Sequence, residues 1–302
     1  MARILSILSA FAVLSAEVYS APAPHPKYWF AFGDSYTTTG FNITTGPLPN
    51  LSNPFGNPAY PGIGPCADNL TNWIDDLTTV YNKSLIFTYN FAYSGAVIDE
   101  SLVTPYLPTV LTIKDQVDQY LATVASRPES TPWTPENSIF SFFIGINDIK
   151  HTWNASGSRT AFDDVLLDDY FGLVEKVYDT GARNFLFFDV PPVNVSPLML
   201  AEPVASQTTQ GVIIDGFNAR LAARVAQFDL SGKGVKALFY NGNTRVKQIL
   251  KDPKKYGFVD NSTFGIDSSQ YCWCNNYHLS PGVHSYFAQD ITELFDLTFT
   301  SF

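Results

Sequence analysis

The eight residues SIFSFFIG, 138–145, carry five large apolar side chains with no polar–apolar alternation. A strand with one wet face would alternate; a continuous apolar run is covered on both faces, as in a parallel sheet. The sequence on either side fits that reading. Upstream, TIKDQVDQYLATVA (112–125) places Ile113, Val117, Tyr120, Leu121 and Val124 on one helical face. Downstream, DDVLLDDYFGLVEKVYDTGA (163–182) reads as a helix that Gly181 ends, because glycine tolerates the left-handed C-terminal position. NFLFFDV (184–190) is the next strand, stopped by Pro191 and Pro192.

The same alternation fills the rest of the chain. YWFAF (28–32), LIFTYNF (85–91) and VKALFYN (235–241) read as strands. Ile214, Phe217, Leu221, Val225 and Phe228 line another helix, and VHSYFAQDITELFDL (283–297) closes the chain as a helix. The expected architecture is a three-layer α/β/α sandwich around a parallel sheet of about five strands, with right-handed crossovers. Pro47 to Pro65, rich in Pro, Gly and Asn, reads as a long loop inserted in this pattern. Residues 21–302 are expected to form a single domain.

Of the 302 residues, 45% are apolar and 15% charged, enough for a substantial core. The formal net charge of −10 argues against nucleic acid, whose phosphates need a basic surface. It suits a neutral substrate or acidic surroundings. At the N-terminus, Arg3 precedes an apolar run from Ile4 to about Ala16, with Val18 and Ser20 placed for cleavage before Ala21. Residues 1–20 thus read as a secretory signal peptide, and the chain as secreted and extracellular. The run is too short for a membrane span of roughly 20 residues. Secretion gives meaning to seven Asn-X-Ser/Thr sequons, at Asn42, Asn50, Asn69, Asn82, Asn154, Asn194 and Asn261. It also makes a disulfide expected among three cysteines. Cys272 and Cys274 are too close in sequence to bridge readily, so Cys66 is expected to pair with one of them. Three buried thiols are the alternative. No metal-ligand spacing accompanies the cysteines.

In such sheets the ligand site lies beyond the C-terminal strand ends. Four short blocks gather there. The first strand runs into GDS, with Ser35 after Gly33 and Asp34. The second runs into NFAYSGAVID, with Gly95 just past its end. The third runs into IGINDIKHTW, with Asn147 and Asp148 after Gly145. Late in the chain, NNYHLSPGVH supplies His278. Singly each block is weak, since Asp and Ser are also ordinary N-caps and Gly and Asn ordinary turn residues.

Together and in this order, the four blocks resemble the GDSL lipase/esterase family of the SGNH-hydrolase superfamily, with its flavodoxin-like α/β/α fold. The likeness covers essentially all of residues 21–302. The wording IGINDI and NNYH is most similar to fungal secreted acetylesterases, including those of carbohydrate esterase family sixteen. The resemblance implies Ser35 as nucleophile, His278 as base, and an oxyanion hole made by Gly95, Asn147 and the N–H of Ser35. It implies no metal or organic cofactor and a small ester or acetylated oligosaccharide as partner. Asp34 is expected to brace the nucleophile turn, with Asp148 a second supporting residue.

These roles agree with elementary chemistry. A serine hydroxyl needs a neighbouring base, and the tetrahedral intermediate needs preorganised donors for its oxyanion. The departure is at the third triad position. The family's usual Asp-X-X-His is Asn275-Asn276-Tyr277-His278 here. Asn275 or a main-chain carbonyl could orient His278; a carboxylate from elsewhere, such as Asp260 or Asp267, could do so; or the site could be weakened. The last possibility keeps open a non-catalytic sugar-binding protein. A lipase acting on short-chain acylglycerols is another alternative, although no long apolar lid segment is present. Of the other histidines, His25 is expected to be exposed, His151 follows the third block and could line the cleft, and His284 is expected to cap or pack the last helix. The protein is expected to be a monomer.

Overall fold

The computed structural model describes residues 26–67, 70–267 and 270–298. Residues 1–20, read above as a signal peptide, lie outside them, as do His25 and the sequon Asn69. Strand β1 (Lys27–Gly33) is followed by α1 (Trp73–Thr79), β2 (Ile86–Asn90), α2 (Ile113–Thr123) and β3 (Ser138–Phe143). Then come α3 (Ile146–Thr152), α4 (Arg159–Asp179), β4 (Asn184–Phe188) and the short α5 (Pro197–Leu200). Helix α6 (Val204–Asp229), β5 (Lys236–Tyr240), α7 (Gly242–Lys251) and α8 (Pro281–Thr298) complete the chain.

The five strands form one sheet in the order β2-β1-β3-β4-β5, and every pairing is parallel. The continuous apolar runs explain this: all six residues of β3 and all five of β4 are buried. Phenylalanines in register form rows across the sheet. Phe30 pairs with Phe140 and Phe140 with Phe185; Phe32 pairs with Phe142 and Phe142 with Phe187. The rings stack at 4.9 Å for Phe30–Phe140 and 4.8 Å for Phe32–Phe142. Stacked pairs add about 0.5–1.5 kcal/mol each beyond their buried area. Helices α2, α4 and α6 pack together in one layer, and α1, α7 and α8 in another. The α/β/α sandwich is therefore present.

This strand order fixes where a site can form. The chain leaves β1 toward β2, and all later strands are added on the other side of β1. Connections leaving β1 and β3 diverge, and a crevice opens between their C-terminal ends. Four helices, α1, α3, α5 and α7, escaped the sequence reading. Helices α1 and α3 have seven residues each, too few to show a helical period. They are set by their ends: Asn72 caps α1, its side chain accepting from the Ile74 N–H while Asp75 takes the N–H of Asn72. Helix α7 is capped by Asn241, which accepts from the Thr244 N–H.

Candidate active site

Strand β1 ends at Gly33, where a side chain has no room: a Cβ there would lie 2.6 Å from the Phe143 carbonyl oxygen. The buried Asp34 shapes the next turn. Its Oδ1 accepts from the Tyr36 N–H at 2.9 Å, and its carbonyl accepts from the N–H groups of Thr37 and Thr38. Burial pushes its carboxyl up to about 8, with the nearby Asp148 adding to the shift. Ser35 stands at the crest of this turn and is 7% exposed.

His278 comes from the other end of the chain. Its Nε2 lies 2.8 Å from Ser35 Oγ, and its Nδ1 lies 3.1 Å from Asn275 Oδ1. Asn275 Oδ1 also accepts from the N–H groups of Tyr277 and His278, at 2.9 and 2.8 Å. Its Nδ2 donates to the Pro65 carbonyl at 3.1 Å. These bonds fix the amide with its oxygen toward the ring. The imidazole therefore carries its proton on Nδ1 and offers the Nε2 lone pair to the serine hydroxyl. Burial pulls His278 down to about 4, helped by the positive charge of Lys150, so the ring is neutral above mild acid.

The supporting loop is tied from both sides. Cys274 is disulfide-bonded to Cys66, leaving Cys272 as a buried free thiol that burial pushes up to about 12. The Cys274 N–H donates to the His278 carbonyl at 2.9 Å, closing the turn around Asn275. The Tyr36 hydroxyl donates to the Tyr277 carbonyl at 2.7 Å, joining the serine turn to the histidine turn. Asp260 and Asp267 lie elsewhere. Asp260 accepts from the N–H groups of Ser262 and Thr263, and Asp267 accepts from Gln270 Nε2.

Gly95 and Asn147 are at the same edge of the sheet. Gly95 adopts φ +85°, a left-handed conformation that favours glycine. A Cβ on it would run into the ring of Tyr106. Asn147 follows Gly145, which starts α3 with φ +112°. One amide hydrogen of Asn147 goes to the Ala96 carbonyl at 2.9 Å, leaving the second available. Among the described residues, no acceptor takes the N–H of Ser35 or Gly95. Asp148 braces this corner: its Oδ1 accepts from the Ile98 N–H at 3.0 Å, and burial pushes its carboxyl up to about 7.

Residues 30–291 match the GDSL-like lipase/acylhydrolase family. The chain belongs to that family. It is accordingly a carboxylic ester hydrolase. It is 34% identical to an acetylesterase of Thermothelomyces thermophilus over 92% of this chain and 91% of that one. A GDSL esterase/lipase of Arabidopsis thaliana is 26% identical over 80% of this chain and 74% of its own length. Among solved structures, a variant of an acetyl xylan esterase of Geobacillus stearothermophilus is 14% identical, with a TM-score of 0.47 over 88% and 93% of the two chains.

Beside the GDSL serine turn runs a groove of about 380 Å³, bordered by Thr38, Phe41, Ile63, Tyr93, Tyr106 and Gln119. Its size is that of a small-ligand site, roughly 300–1,000 Å³. His151 is not among the residues that line it; its Nδ1 donates to the Thr104 carbonyl at 2.9 Å. His284 is buried against Tyr36 and Phe287, and burial pulls it down to about 3, so it packs as a neutral ring. Sequence reasoning missed the Pro65 carbonyl, Tyr106 and Lys150. Only Pro65 had a signal, its place directly before Cys66. Among the described residues no helix is long and apolar enough to cross a membrane.

Proposed function

We propose that the protein is a secreted acetylesterase that removes acetyl groups from carbohydrate through a Ser–His–Asn triad. The observation that carries this reading is the chain of contacts from Ser35 Oγ to His278 Nε2 to Asn275 Oδ1. Ser35 attacks the ester carbonyl as His278 Nε2 takes its proton. The developing oxyanion is received by the N–H groups of Ser35 and Gly95 and the spare amide hydrogen of Asn147. The imidazolium formed is held by Asn275 Oδ1 and returns its proton to the leaving alcohol. Water activated by the same ring then releases the acid from the acyl-enzyme. In a serine protease, replacing the triad aspartate by asparagine costs about 10⁴ in kcat because the histidine takes the wrong tautomer. Asn275 avoids that loss because its amide oxygen faces the ring and keeps the productive tautomer.

The substrate reading rests on the likeness to the acetylesterase and on the groove, whose lining mixes hydroxyl and amide groups with aromatic rings. Rings suit sugar faces and polar groups suit their hydroxyls, whereas an alkyl chain would leave the polar groups unpaired. Secretion rests on residues 1–20 and on exposed sequons at Asn42, Asn82, Asn154 and Asn261, with Asn50 and Asn194 half-buried.

Hydrolysis of p-nitrophenyl acetate, measured beside Ser35→Ala and His278→Ala, tests the mechanism. Both variants should fall by at least about 10³-fold. A wild type no faster than its variants would abolish the reading. Acetylated xylo-oligosaccharide should be a better substrate than tributyrin; the reverse order would favour a short-chain lipase.

A further inference from the structure

Helix α3 carries more toward the site than Asn147. Lys150 follows three residues later and so lies on the same helical face. Its Nζ sits 4.4 Å from the centre of the Tyr277 ring, and Tyr277 precedes His278. Among the described residues no carboxylate pairs with Lys150, although the chain has ten more acidic than basic residues. Lys150 is an exposed residue, so its ammonium is open to an incoming group, and the packing of its side chain against the protein lowers its pKa.

That placement works against the chemistry of the site. Ester cleavage turns His278 into an imidazolium, and a fixed cation nearby opposes that charge. Asn275 supplies no negative charge to offset it. The groups around Lys150 do not supply one either: Tyr277 is a neutral phenol, while Asp34 and Asp148 are pushed up by burial and have their Oδ1 atoms committed to backbone N–H groups. A substrate bearing its own anion would neutralise Lys150 as it binds, removing the penalty on the imidazolium when it matters.

We propose that Lys150 is a specificity residue that selects esters carrying a carboxylate near the scissile bond. This rests on the esterase reading of Ser35 and His278. The carboxylate could belong to the alcohol, as in an acetylated saccharide bearing a uronate, or to the acyl group, as in the half-ester of a dicarboxylic acid. The shared requirement is one negative charge within reach of Nζ. Charge-assisted bonds of this kind are worth enough to give about tenfold discrimination or more.

The experiment measures kcat/KM on two matched pairs. One is an acetylated xylo-oligosaccharide with and without a uronate substituent. The other is p-nitrophenyl hemisuccinate against p-nitrophenyl butyrate. Wild type, Lys150→Met and Lys150→Arg are compared at low and high salt. The expected result is a preference of about tenfold for the anionic member of one pair, expressed mainly in KM. It should shrink with salt, collapse in K150M and survive in K150R. The pair that shows it identifies which side of the ester carries the charge. Equal rates within both pairs, or a preference untouched in K150M, overturns the proposal while leaving the esterase reading intact. A wild type inactive on all four substrates and on p-nitrophenyl acetate overturns both.

Discussion

Asn275 holds three N–H groups on one oxygen and gives its own N–H to Pro65. Two substitutions separate its orienting role from its lack of charge. Asn275→Asp keeps the oxygen that faces the ring but sets a second oxygen against the Pro65 carbonyl. The new negative charge favours the imidazolium, so His278 titrates above its present value of about 4. The acid limb of kcat/KM should therefore move to higher pH, and activity in mild acid should fall. The plateau rate at neutral pH should stay within about tenfold, the loss of one ordinary hydrogen bond being set against better charge stabilisation. Asn275→Ala keeps neither and leaves two backbone N–H groups without an acceptor. It should lower the plateau about ten- to a hundredfold, with no upward shift of the acid limb. A pH–rate profile of the three proteins checks both; an unshifted limb in N275D would mean that Asn275 does not govern the base.

The segment between α7 and α8 delivers His278, and its own secondary structure is sparse. It is held by the Cys66–Cys274 bond, which spans 208 residues, and by the Trp273 indole, which donates to the Asn261 carbonyl at 3.0 Å. Replacing both cysteines by serine should destabilise the fold by about 2–5 kcal/mol. It should also lower kcat by freeing the Pro65 carbonyl that sets the Asn275 amide. Thermal unfolding and p-nitrophenyl acetate kinetics measure the two effects; an unchanged kcat would show that Pro65 needs no such tether. The regular elements were the legible part of this protein. Runs such as Ser138–Phe143 are long and uniform enough to announce a buried parallel strand, and strand ends then point to Ser35, Gly95 and Asn147. The disulfide was legible only to the choice of Cys272 or Cys274, since sequence spacing does not say which sulfur faces Cys66. Contacts across large separations were not legible. Nothing in the local sequence of Tyr106 says that its ring will lie on Gly95, and nothing near Lys150 says that it will rest on Tyr277. Such contacts are products of the packed fold.

Buried ionisable groups throughout the chain set how stability depends on pH. Burial pushes Asp34 and Asp75 up to about 8, and Asp148 and Asp189 up to about 7. Each keeps a proton in the folded chain that an unfolded aspartate, with a pKa of about 3.9, has already released. Their contribution is full below about 4 and is lost as pH rises through 7 and 8. His278 and His284 act oppositely, with folded values of about 4 and about 3. Their contribution is full above the unfolded value of about 6.5 and is lost as pH falls toward those folded values. Between pH 5 and 8 the four carboxyls change throughout, while the two histidines change only below about 6.5. The carboxyls win, and lowering the pH also reduces the self-repulsion of a chain with net charge −10. The melting temperature should therefore be higher at pH 5 than at pH 8. Asp148→Asn, which retains the oxygen that accepts from Ile98, should flatten that fall, because it removes one group forced to ionise. Calorimetry at pH 5, 6.5 and 8 and constant ionic strength decides the matter. A melting temperature that climbs toward pH 8 would mean that these carboxyls are already ionised in the folded protein and that Asp34 and Asp148 brace the site as charged groups.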